Sequence, residues 1–169
     1  MMPHIRELSA TEAAYVAGIV DGEGSITLTR THRDEGRRPI VSISSTELSL
    51  LQYIRAVIGA GRITGKVTAR NQHAPIFAHL LSSRQALPLL AQISPYLRTY
   101  KLHRCRLLLD EYLAVTPRNG RYTAAQRAAK DLFEARSIRA GTNRSGQSLN
   151  GDDDDRGIRA ALAARAGRP

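Results

Sequence analysis

The stretch from Ser9 to Gly24 limits what this chain can fold into more than any other. Ser9-Ala-Thr-Glu12 has the spacing of a capping box, with Glu12 at the third helical position, so a helix starts there. Behind it, Ala13, Ala14, Val16, Ala17, Ile19 and Val20 make the helix apolar nearly all round. A helix of that kind has to be covered on more than one side. Gly18 and Gly22 lie four apart on one face, a turn beyond Ala14. Each glycine costs about 1 kcal/mol relative to Ala in a helix interior, so a compensating close approach of backbones, as from a second such helix, is expected. Gly22 and Gly24 end the helix, with Asp21 and Glu23 at its C-terminal end, where the macrodipole disfavours negative charge. Two readings stay open: a divalent cation compensates the acids, or Asp21 caps the turn and Glu23 is merely solvated.

Beyond Gly24 the chain reads as two hairpins and then helices. Ser25 to Thr31 alternates strictly, with Ile26 and Leu28 on one face and Thr27, Thr29 and Thr31 on the other. After a charged turn, Ile40–Ser44 returns with Val41 and Ile43 inward, and Leu48, Leu51, Ile54, Val57 and Ile58 repeat at helical spacing. Gly61–Thr68 and Ala74–Leu81 form a second hairpin. Helices are expected over about Arg84–Ile93, Lys101–Val115 and Thr123–Ala140, Pro88 either delaying or kinking the first. From Gly141 the chain has little to bury and reads as a flexible tail, with at most a marginal helix near Ile158–Ala166. The result is one α+β domain over residues 1–140, with an antiparallel sheet.

Composition narrows the function. No apolar run is long enough to span a membrane, and the first residues lack a secretory h-region. The lone Cys105 forms no internal disulfide, which suits a reducing cytoplasm or organelle matrix. The net charge is +10, and between Gly36 and Leu109 eleven basic residues face one acid, Glu47. Such segregation points to a polyanion, most commonly nucleic acid.

Val16-Ala-Gly-Ile-Val-Asp-Gly-Glu-Gly24 resembles the signature of the LAGLIDADG homing endonucleases, with Val16 for the leading leucine and Glu23 where many members carry Asp. Ala17, Gly18, Asp21, Gly22 and Gly24 stand in place, and the likeness runs on through Ser25-Ile26, Val41–Ser45, Leu50-Leu51, Ile58–Gly61, Pro95–Leu97 and Lys101. The resemblance implies an αββαββα core with a four-stranded antiparallel DNA-binding saddle and C-terminal helices. It also implies a Mg²⁺-dependent enzyme, with Mn²⁺ able to substitute. Such an enzyme hydrolyses both strands of a long pseudo-palindromic duplex, leaves 3′ overhangs, and is encoded in a mobile intron or intein. By the same resemblance Glu23 and the Gly22 carbonyl hold the metal, and Asp21 belongs to the catalytic set. Lys101 stands near the water network at the scissile phosphate, and Ser45 falls where many relatives have Gln.

Only one such motif occurs, and in this family that implies a homodimer with Ala14, Gly18, Asp21 and Gly22 at the two-fold seam. On the saddle, alternation sends Thr27, Thr29, Thr31, Arg38, Ser42, Arg62, Thr64, Lys66, Thr68, Phe77 and His79 outward toward double-stranded DNA. Arg33 and Arg37 in the first turn and Arg70 in the second add further contacts. The rival expectation is a non-catalytic protein on the same fold, either an intron RNA maturase or a DNA-binding regulator. The enzyme reading places the protein with the nucleoid in the cytoplasm or in an organelle matrix.

Overall fold

Helix α1 spans Ala10–Glu23 and starts on the expected box: the Glu12 amide donates to Ser9 Oγ at 3.3 Å, and the Ser9 amide donates to Glu12 Oε2 at 2.8 Å. In this computed structural model residues 4–30, 36–66, 75–118 and 120–140 are described, the Lys66 side chain excepted. The expectations placed on Thr31, Arg33, Thr68, Arg70, the Lys66 side chain and the tail from residue 141 lie outside the described residues. Strands β1 (Gly24–Thr29) and β2 (Arg38–Ser45) follow, then α2 (Leu48–Ile58), β3 (Arg62–Lys66), β4 (Ile76–Ser82), α3 (Ala86–Ile93), α4 (Lys101–Glu111) and α5 (Ala124–Arg139). The four strands make one antiparallel sheet in the order β1-β2-β4-β3, as the α+β reading requires.

The helices cover one face of this sheet. Ile26, Leu28, Val41, Ile43 and Leu81 meet Val16, Val20, Leu51, Ile54, Leu89, Leu90 and Ile93 in a continuous apolar core. Each such side chain contributes about 1.5–3 kcal/mol by leaving water. Of the two expectations for Pro88 the late start is the one seen: Ser83–Gln85 form a 3-10 turn and α3 begins at Ala86. Pro88 is the third residue of the helix, in the first turn, where a missing N–H removes no intrahelical bond. Arg104 closes the exposed side of edge strand β1: its Nη1 donates to the Ile26 carbonyl at 2.6 Å, while Nε reaches the Ser137 carbonyl on α5 at 2.8 Å. Burial pushes that guanidinium below its usual range.

Three expectations about facing are corrected. His79 and Phe77 do not point outward. In the β2–β4 register they pair with Ile43 and Ser45, whose side of the sheet is the helix side. His79 is 1% exposed, and its Nε2–H donates to the Ala60 carbonyl at 2.9 Å, so burial holds the imidazole below its usual pKa. Room for that ring exists because Gly61 (φ +95°) has no Cβ, which would stand 2.2 Å from Nε2. Phe77 packs against the core and beside Gly65. Alternation alone misleads here because β4 is apolar on both faces, and Ile76, Ala78 and Leu80 take the outer side instead. Arg37 also turns to the helices: its amide donates to Glu134 Oε1 on α5 at 2.9 Å and its Nε lies 3.5 Å from Oε2.

Candidate nucleic-acid interface and active site

The end of α1 is where the signature residues part company. α1 buries only Ala13, Val16, Ala17 and Val20, one stripe at helical spacing. The other side, with Ala14, Gly18 and Gly22, is exposed. A Cβ at Gly24 would meet Val20 Cα at 2.7 Å and the Ser42 carbonyl oxygen at 3.1 Å, so this glycine is required where the helix end passes the strand. At Gly18 and Gly22 a Cβ would meet nothing within 4 Å. Their propensity cost of about 1 kcal/mol each therefore has no compensation inside this chain.

Of the two acids, Asp21 is committed to its own chain. Its Oδ2 accepts from the Arg98 amide at 2.7 Å, and its Oδ1 accepts from the Thr99 hydroxyl at 2.6 Å and amide at 3.4 Å. Asp21 therefore caps the turn at residues 98–99, supplied from a distant part of the chain, and not the turn into β1 that the capping reading expected. The cation that offsets the helix C-terminus is also internal. Lys101, 6% exposed, donates from Nζ to the Val20 carbonyl at 2.8 Å and the Asp21 carbonyl at 2.7 Å. It thus satisfies the Asp21 carbonyl, one of the orphans that a helix leaves at its C-terminus, and adds a second bond to the Val20 carbonyl, which already accepts the Gly24 amide.

Glu23 differs in every respect. It is the last residue of α1 and exposed, beside the outward face of the sheet. Its carboxylate and the neighbouring Gly22 carbonyl are hard oxygen donors of the kind that Mg²⁺ and Ca²⁺ accept, so the residues fit a divalent cation. They are only part of a coordination shell, because no group of three or more His, Cys, Asp or Glu able to hold a metal exists among the described residues.

The strand beside Glu23 presents Ser44 rather than Ser45. Gly24 pairs with Ile43, so both serines lie beyond β1, alongside the helix end. Ser44 is exposed on the outward side, whereas Ser45 Oγ accepts from the Glu47 amide at 3.0 Å in the turn into α2. The expected catalytic placement of Ser45 is corrected on that ground. The signal for Ser44 lies in the alternation itself: once Ser42 is outward, the residue two further on must be outward too.

Elsewhere on the outward face stand Thr27, Thr29, Arg38, Ser42, Arg62 and Thr64, as the alternation of β1, β2 and β3 predicts. Ser25 Oγ and Ser42 Oγ are hydrogen-bonded across strands at 2.7 Å, and Ile40, Ala78 and Leu80 form an apolar band along the middle. Basic charge on the chain is thus divided. Arg62 and Arg106 are exposed, whereas Arg98 spends its Nη1 on the Pro95 and Leu97 carbonyls at 2.9 and 3.1 Å.

No family model matches this sequence, and no curated protein matches it. Solved structures do. The homing endonuclease I-CvuI, in complex with its target in the presence of calcium, superposes with a TM-score of 0.63 at 17% identity, over 95% of this chain and 98% of that one. The archaeal intron-encoded homing endonuclease I-Vdi141I, complexed with DNA, gives a TM-score of 0.53 at 13% identity, over 91% and 98%. The LAGLIDADG homing endonuclease I-GzeII, in complex with a DNA target, gives 0.55 at 17% identity, over 76% of this chain but 44% of that one. The chain has the LAGLIDADG homing-endonuclease fold. Within the LAGLIDADG fold the signature helix is α1 and the saddle is the outward face of β1–β4. The chain matches nearly the full length of I-CvuI and I-Vdi141I, and less than half of I-GzeII.

Proposed function

We propose that this protein is a site-specific DNA endonuclease that works as a homodimer and depends on a divalent metal ion, with Mg²⁺ the expected cofactor. The observation that carries the reading is the exposed Glu23 carboxylate at the end of α1, bordering a polar sheet face beside open glycines. Relatives of the same fold are homing endonucleases bound to DNA, which supports duplex DNA as the substrate.

The incomplete ligand set supports the dimer. A second α1 packed on Gly18 and Gly22 sets two Glu23 carboxylates side by side at a two-fold axis. It also covers the side of the helix that this chain leaves open. Two such anions repel unless cations lie between them. When bound, the metal supplies Lewis-acid activation of water and charge relief at the leaving 3′ oxygen. Glu23 and the Gly22 carbonyl would hold it. Lys101 acts as a positioning residue, fixing the end of α1 through its two carbonyl bonds. Thr27, Thr29, Ser42, Arg62 and Thr64 face the groove and the phosphates, and the two-fold axis implies a pseudo-palindromic target cut on both strands to leave 3′ overhangs.

A second reading keeps the fold without the chemistry, as a nucleic-acid-binding protein. It is favoured by the commitment of Asp21 and Ser45 to turns of their own chain. A library of randomised duplexes incubated with the protein in Mg²⁺ or in EDTA separates the two. The enzyme yields selected, cleaved sequences with 3′ overhangs in Mg²⁺ alone, and Glu23→Gln yields none while still retaining bound duplex. Selective binding without cleavage by the unaltered protein decides for the second reading.

A further inference from the structure

Away from α1, at the opposite end of the sheet, a cleft of about 550 Å³ lies between the ends of β2 and β4 and the loop joining α4 to α5. Arg38, Arg84, Arg118 and Arg127 line it together with Arg37, and no carboxylate among the described residues does. Several of these side chains are held ready. Arg84 Nη2 donates to the Thr116 carbonyl at 2.6 Å, tying the β4 end to the loop, and the Arg127 guanidinium lies 4.8 Å from the centre of the Tyr122 ring. Beneath Gly36 sits Lys130, 1% exposed, whose Nζ donates to the Arg37 carbonyl at 3.2 Å and to Thr116 Oγ1 at 2.9 Å. Glu134, 3.8 Å from Lys130 and bridged to Arg37, offsets part of this charge from behind, and Asp131 also acts on Lys130. At the rim, Ser83 has φ +62°, the single non-glycine residue with positive φ among the described residues. That strained turn swings the chain from β4 into the cleft wall at Arg84, and such strain concentrates where function holds it.

We propose that this cleft clamps a backbone phosphate of duplex DNA at the outer flank of each half-site. The proposal rests on the endonuclease reading and extends it. The planar fork of Arg matches a phosphodiester in two hydrogen bonds, and several forks around one cleft select an anion of that shape. The position fits the flank. β1 runs six residues from the Glu23 end to Thr29, which pairs with Arg38. At about 3.3 Å per residue that is roughly 17–20 Å, or about five to six base pairs outward from the acid. The contact carries affinity and register, and no base identity.

The test uses the full chain and a random-sequence duplex of about 30 base pairs, enough to span both half-sites. With Arg118→Ala and Arg127→Ala together, the slope of log K against log salt is expected to flatten by about 2, at about 0.9 per lost phosphate contact. Affinity at low salt should fall at least about tenfold. Both arginines are exposed, so the melting temperature should stay unchanged, and the double Lys variant should restore the slope. An Ala variant that keeps the full slope, when the unaltered protein binds steeply, overturns the clamp and leaves the endonuclease reading standing. Failure of the unaltered protein to bind duplex at all overturns both. A rise in melting temperature with inorganic phosphate or a mononucleotide, with duplex binding indifferent to the variants, makes the cleft a small-anion site and also overturns the clamp.

Discussion

The two ends of the sheet have opposite chemistry, and β1 joins them. At the α1 end a single acid, Glu23, stands exposed beside open glycines, and Lys101 at the same helix end is buried in carbonyl contacts. At the other end arginines converge on a cleft with no carboxylate among the described residues that line it. A protein that only coated DNA would need the second kind of surface throughout. Under the proposed function the separation suits a division of labour, in which the acid would meet metal at the cut and guanidinium groups would hold the duplex away from it. The LAGLIDADG fold imposes the distance between the two, since one strand sets it.

The contrast breaks most sharply at Glu23. Glu23→Gln should lower cleavage of a selected duplex at least about a thousandfold, the scale of several kcal/mol of lost metal-assisted stabilisation, with binding kept. Retained cleavage would mean that the acidic end is not where the chemistry occurs. Next comes the seam. Gly18→Leu should raise the dimer dissociation constant at least about a hundredfold, read by sedimentation, because a side chain enters a backbone contact. Gly18→Ala should, by contrast, stabilise the separated monomer by about 0.5–1 kcal/mol, since its Cβ meets nothing in its own chain. A destabilised monomer would show the glycine serving this chain alone.

Smaller effects sharpen how the ends are held. Lys101→Met should cost about 1.5–3 kcal/mol in urea unfolding, by removing a buried charged donor from two carbonyls. His79 gives the smallest signal, and its sign is set by burial. The folded protein holds this imidazole neutral below the unfolded pKa of about 6.5, so the unfolded chain takes up the proton first and stability falls as the pH drops below that value. The melting temperature should therefore be lower at acid pH than at neutral pH, and His79→Asn should flatten that dependence.

The parts readable from the sequence are those set by neighbours along the chain. Ser9 and Glu12 are three residues apart, and Ile26 and Leu28 alternate with threonines, so the start of α1 and the facing of β1 follow from spacing alone. β4 lacks that contrast, because Ile76, Ala78 and Leu80 are as apolar as the inward Phe77 and Leu81. Its facing is decided instead by pairing with β2 and by the space that Gly61 leaves for His79. The cations are harder still. Arg37, Arg98, Lys101 and Arg104 look like solvent-facing charge when only their neighbours in sequence are considered. Yet Lys101 meets carbonyls some eighty positions away and Arg104 meets one seventy-eight away. Nothing local announces such a partner, so raw net charge overstates what remains for a ligand.

Gly24 has one more consequence. Because the helix touches the strand there without a side chain between them, and Asp21 and Lys101 pin the same end from the other side, Glu23 cannot slide relative to β1. The molecule carries its own ruler. Under the proposed function, exchanging residues on the outer face to favour other base sequences would leave the point of scission at the same offset from them, because that offset is written in main chain.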